Sequence, residues 1–197
     1  MAQPLHVVGI GGTLSKTSKS LYALDYALSI AQTEGATITR YSMLDLQLPM
    51  YVPSTKLEDL SPTIQEFIQT IRSADAMIWS TGAYHGTLAG VTKNAIDYMD
   101  YLGGGENPYL HNKVVGLIAT AGGDMAGVNT LGAMTHSVHS LRGIVAPMMV
   151  SIHNAKTAFD SNGNITASKY EKKLNSLGKL VVELARKQKS NLYATTS

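Results

Sequence analysis

The period of the hydrophobic positions switches repeatedly along the chain. Residues 5–10, LHVVGI, are a short apolar, β-branched run that predicts a buried strand. Residues 11–17, GGTLSKT, read as a loop. Ser18 then reads as the cap of a helix through about Glu34, with Leu21, Leu24, Ala27, Leu28 and Ala31 on one face. Gly35 closes that helix, and residues 36–42 alternate as a second strand. Residues 43–60 carry Pro49 and Pro53 and read as a long loop. Ser61-Pro62 marks the next helix start, and Ile64, Phe67, Ile68 and Ile71 form its inward stripe as far as Ala74-Asp75.

Residues 76–80 predict a third strand that empties into a stretch of small and hydroxyl residues, STGAYHGTLAGVTK, at 80–93. A helix over 90–101 follows, then glycine-rich punctuation at 103–108. Residues 113–120, KVVGLIAT, predict a fourth strand, and Ala121-Gly122-Gly123-Asp124 a second glycine turn. A helix is expected from about Val128 to Leu141. A fifth strand is expected over 144–152, pushed toward an edge or a bulge by Pro147. A turn at 160–164 and a helix over 168–189 complete the pattern, with 190–197 read as a flexible tail. No repeat or linker interrupts it, so residues 1–189 are expected to form one domain.

Strands alternating with helices imply right-handed βαβ units and a parallel sheet covered on both faces. Five strands in this rhythm suit a flavodoxin-like, doubly wound α/β fold of order 2-1-3-4-5. Ligands in such a fold sit beyond the carboxyl ends of strands one, three and four. The loops there, at 11–18, 81–87 and 121–125, are the glycine- and hydroxyl-rich loops of this chain.

Composition narrows the chemistry. The 197 residues are 44% hydrophobic and 15% charged, as in a globular domain. A net charge of +2, without a Lys/Arg block, does not call for nucleic acid. The absence of cysteine removes disulfides, thiolate chemistry and cysteine-held metals. Met1-Ala2-Gln3-Pro4 lacks the marks of a signal peptide, and no apolar run reaches membrane-spanning length. A soluble cytoplasmic protein is the resulting expectation.

The first loop admits several readings. A P-loop needs glycines where Ile10 and Ser15 stand, and a dinucleotide fingerprint needs one at Leu14. A third reading is a phosphate cradle of hydroxyls and backbone amides at a helix start: Gly12, Thr13, Ser15, Ser18 and Ser20. The plain alternative is a serine-rich helix start with no ligand. A receiver domain would need acids where Gly11-Gly12 and Thr81-Gly82 stand. His136 and His139 have helical spacing but no carboxylate partner on their helix, so a metal site is not expected. Met125, Met134, Met148 and Met149 read as core or interface filler, and Tyr98, Tyr101 and Tyr109 as helix packing or a ring cover. No Gly-x-Ser-x-Gly elbow is present.

The segment from Val7 to Leu14, with Ser18 and Ser20 behind it, resembles the first loop of NAD(P)H-dependent FMN reductases. Gly90-Val91-Thr92-Lys93-Asn94-Ala95-Ile96-Asp97 is similar to that family's Gly-Val-Leu-Lys-Asn-Ala-Ile-Asp, and Gly122-Gly123 falls at its third loop. The resemblance spans residues 5–152. It implies FMN at the three loops, NADPH or NADH as co-substrate, an acceptor such as FMN, a quinone or an azo dye, and a homodimer or homotetramer. Carried over, Gly12, Thr13, Ser15, Ser18 and Ser20 would hold the phosphate. Thr81, Gly82, Ala83, Tyr84, His85, Gly86 and Thr87 would border the ring, and Gly122, Gly123 and Asp124 would close its other side. Two positions depart from the family's pattern. Ser15 stands where the family has Arg, with Lys16 as the expected substitute charge. Gly82-Ala83-Tyr84-His85 stands for Pro-Glu-Tyr-Asn, with Tyr84 and His85 as candidate ring or substrate contacts. The competing class is a flavodoxin-type electron carrier or an FMN-binding module, which the basic balance disfavours.

Overall fold

In the computed structural model, which describes residues 4–194, a parallel sheet runs in the order β2-β1-β3-β5-β6. Its central strands are β1 (His6–Gly11), β3 (Ala76–Tyr84) and β5 (Val114–Thr120), and β2 (Thr37–Ser42) forms one edge. The expected fifth strand is broken. β6 (Ile144–Val145) pairs the start of β5 and β7 (Val150–Ile152) pairs its end. Pro147, which has no amide to give the ladder, lies in the gap. Counting the broken strand once, the order is the 2-1-3-4-5 of the sequence reading.

Alternation of side chains sets two cores. Val7, Ile78 and Ile118 point to the face covered by α1 (Lys19–Thr33) and α7 (Ser168–Ala194), where Leu24, Leu28, Leu174 and Val181 meet them. Val8, Met77, Trp79 and Leu117 point to the other face, onto Phe67 and Ile71 of α3 (Pro62–Ser73), Ala95 and Ile96 of α4 (Gly90–Asp97), and Met134 and Val138 of α5 (Asp124–Ser140). Helices α1 and α7 lie close enough that a Cβ at Gly178 would stand 2.6 Å from the carbonyl oxygen of Ala27.

Several expected boundaries move. β3 runs four residues past Ser80 and turns back at His85-Gly86 into a short antiparallel β4 (Thr87–Leu88). Both turn residues have positive φ, 51° and 86°, the pattern of a two-residue hairpin turn that matches strand twist. α5 begins at Asp124, four residues before Val128. The long loop holds a short helix, α2 (Met43–Leu46), and a 3-10 turn at Leu57–Asp59. The segment read as a flexible tail is helical as far as Ala194, with its last three residues outside the described range. Met1-Ala2-Gln3 also lie outside it. Among the described residues no helix is long and apolar enough to cross a membrane.

Candidate active site

The carboxyl ends of β1, β3 and β5 open at one rim of the sheet. Gly12 begins the first turn with φ +91°, a conformation that disfavours any side chain, and its amide donates to Ser80 O at 3.3 Å. The Thr13 amide donates to Ser18 Oγ at 3.1 Å, and Ser18 Oγ lies 3.0 Å from Ser20 Oγ. Ser18 is therefore the predicted cap of α1, accepting from Leu21 N. Its hydroxyl is spent holding the turn in shape. Ser20 is equally buried, and its carbonyl accepts from Ser80 Oγ at 2.7 Å, tying the helix start to β3. Ser15 and Thr17 stay exposed at the outer lip. The amides of Lys19 and Ser20, the first two positions of α1, have no acceptor within their helix.

Residues of the second turn divide into two groups. Gly82 faces the first turn: a Cβ there would come within 3.2 Å of Thr13 Cγ2 and 3.3 Å of the Tyr84 hydroxyl. Tyr84 is half exposed and folds back over Gly82, since positions i and i+2 of a strand share a face. Thr81 points the other way. Its buried hydroxyl accepts from Ala89 N at 3.1 Å and lies 2.9 Å from Thr92 Oγ1, which fixes the start of α4 beneath the hairpin.

Thr13, Ser15, Ser18, Ser20, Gly82, Ala83, Tyr84 and Gly122 of the predicted set line one cavity of about 250 Å³. Gly122 contributes no side chain, and a Cβ built on it meets nothing within 4 Å. Gly123 caps α5 and its α-carbon faces equally open space. Lys16, His85, Gly86 and Thr87 are not part of this wall: Lys16 is exposed on the first turn, and the other three form the hairpin tip. Gly12 and Thr81 support the wall from behind. The side chain of Asp124 lies outside what the structure describes. Thr17 and Ala121, which lie in the predicted loops without being singled out there, and Lys19, Thr120, Ala155 and Lys156, which lie outside those loops, complete the enclosure. The last two belong to a fourth turn, after β7, leading into α6 (Ala155–Ala158). The rule that ligands gather beyond strand ends would have pointed to that turn, but nothing in its local sequence does.

Other sequence candidates fall elsewhere. Met134 is core, whereas Met125 and Met149 are exposed. Tyr98 and Tyr101 pack with Tyr51, not over the cavity, and donate to Pro49 O and Thr55 O. No group of metal-ligating residues occurs among the described residues.

The model of one protein family, NADPH-dependent FMN reductase, matches residues 5–157. The chain belongs to that family. As a member of the NADPH-dependent FMN reductases it is a flavin-dependent oxidoreductase that uses FMN and NAD(P)H. An NAD(P)H-dependent FMN reductase of Pseudomonas aeruginosa is 30% identical to it over 174 residues, 86% of this chain and 89% of that one. An NADPH azoreductase of Bacillus sp. strain OY1-2 is 27% identical over 146 residues, 74% of this chain and 75% of that one. The solved flavoenzyme NAD(P)H:(acceptor) oxidoreductase of Paracoccus denitrificans shares the fold, with a TM-score of 0.72 at 19% identity over 93% of this reductase and 98% of that chain.

Proposed function

We propose that this FMN reductase holds FMN in the four-turn cavity and passes reducing equivalents from NADPH or NADH to a small planar acceptor: FMN itself, a quinone or an azo compound. One observation carries the reading. Three turns from separate strands converge on a single cavity, and at Gly122 the wall lacks the Cβ that would fill it. The donor set suits a phosphorylated heterocycle. Free amides at the start of α1 and the Ser15 and Thr17 hydroxyls suit a phosphate, while the backbone of Gly82, Ala83 and Gly122 suits the edge of a flat ring. When bound, FMN supplies the hydride chemistry. What the chain supplies is orientation and shelter. Ser18 and Ser80 keep the first turn against β3, Thr81 keeps the hairpin on α4, and the Tyr84 phenol stands over Gly82 at the mouth, where it excludes water.

A small acceptor, cytoplasmic action and assembly as a homodimer or homotetramer belong to the same proposal. The deciding measurement is the visible spectrum of the purified protein under anaerobic conditions. A flavin band that bleaches on NADPH addition and returns with menadione or an azo dye supports the reading. A band that NADPH and NADH leave unbleached without a partner protein would return the chain to the electron carriers.

A further inference from the structure

We propose that Lys156 supplies the formal positive charge opposite the FMN phosphate, so that the phosphate loop's missing cation comes from the turn after β7. The inference rests on the placement of FMN argued above.

A phosphate monoester carries close to two negative charges. Hydroxyls are neutral, and a helix start offers about half an elementary charge, so a phosphate site built from these alone is under-compensated. Three lysines are near enough to be considered. Lys16 follows Ser15 in the first turn but does not reach the cavity wall. Lys19 lines the cavity, yet its ammonium donates to Asp160 O at 3.3 Å and stands 5.1 Å from the centroid of the Tyr22 ring. Lys156 also lines the cavity and is exposed on its open side.

The backbone beneath Lys156 is fixed in place. Ala155 N donates to Ala121 O at 3.0 Å, and Ala121 N to Ile152 O at 2.9 Å, so the third and fourth turns are stitched together. Asn154 takes a left-handed conformation, φ 49°, to begin the turn. The following segment lies on the α1 side of the sheet: Phe159 packs on Tyr22 with ring centroids 6.1 Å apart. Lys156 is thereby presented on the same side as the free amides of α1. Ammonium is a point charge on a flexible stem, able to meet a phosphate from solvent without the fixed fork of an arginine.

The test is titration of flavin-stripped protein with FMN and, separately, with riboflavin, followed by flavin fluorescence at low and moderate salt. Lys156→Ala should weaken FMN about 10-fold, the range of one charge-assisted hydrogen bond, and leave riboflavin unchanged. Its FMN affinity should also vary less with salt, and Lys156→Arg should keep most of it. Equal losses for FMN and riboflavin would show a structural role and overturn the assignment, as would unchanged FMN binding. The reverse ranking, with Lys16→Ala costing FMN affinity and Lys156→Ala sparing it, would return the charge to the first turn. Wild-type protein that binds neither flavin would sink the FMN reading itself, an outcome separable from all of these.

Discussion

Replacing Gly122 by valine separates folding from cofactor binding. Gly122 has no left-handed backbone to protect, and the first atom of an added side chain meets nothing within 4 Å. The fold should therefore tolerate the change as it tolerates an open surface position, within about 0.5 kcal/mol. For a domain of this size that is a melting shift of about 2 °C or less. The flavin site should not tolerate it. Forcing extra carbons into a packed contact costs about 1–3 kcal/mol, roughly 5- to 150-fold in affinity. Gly122→Ala, with one carbon added, should fall between wild type and Gly122→Val. The assay pairs a thermal melt of stripped protein with an FMN titration. FMN binding at wild-type strength in Gly122→Val would place the ring elsewhere. A large fall in melting temperature would mean that Gly122 serves the fold, and the cavity argument would lose its main support.

Asn94 clamps the long loop. Its Oδ1 accepts from Tyr51 N at 2.8 Å and its Nδ2 donates to Pro49 O at 2.7 Å. Asn94→Ala leaves the half-buried Tyr51 amide without its partner, while Pro49 O keeps the Tyr98 hydroxyl, and should cost about 1–2 kcal/mol, with new protease cleavage between residues 47 and 60 as the local signature. Tyr51 donates to Asp100 Oδ2 at 2.7 Å, and that hydrogen bond, then burial and the negative charge, hold its phenol above the usual tyrosine range. A raised folded-state pKa adds stability that is fully present below the unfolded value near 10 and is lost as pH rises toward the folded one. Alkaline difference spectra should show a late-titrating phenol, and Asp100→Asn should bring it down. If every phenol titrates near its ordinary value in both proteins, the bond is absent in solution.

Much of this architecture could be read from short patterns because those patterns are local. Ser18 before an apolar stripe is a cap wherever it occurs, and Pro147 breaks a strand by lacking an amide. The far end of β3 was not readable, because Ser80-Thr81-Gly82-Ala83-Tyr84 has none of the apolar character of a buried strand. It is a strand because β5 pairs it from Ser80 to Gly82, and because its hydroxyls find partners on Ser20 and Ala89. The role of Thr81 followed from that pairing, since its neighbours come from α4. Lys156 was missed for a similar reason: its place beside the first turn depends on hydrogen bonds between residues distant in sequence. The hydroxyls of the first turn do gather on one cavity wall. Which of them face outward was decided by Ser18 and Ser20 turning toward each other.

The interruption around Pro147 matters beyond the single molecule. An outer strand with an unbroken row of amides and carbonyls invites the border of another molecule to continue the ladder. Here that border is cut into pieces of two and three residues, with a proline between them. Copies of the protein meeting along this side find no template long enough to zip onto. The continuous outer strand of the sheet is β2, six residues long on the opposite border, so any extension of the ladder by another copy has to begin there.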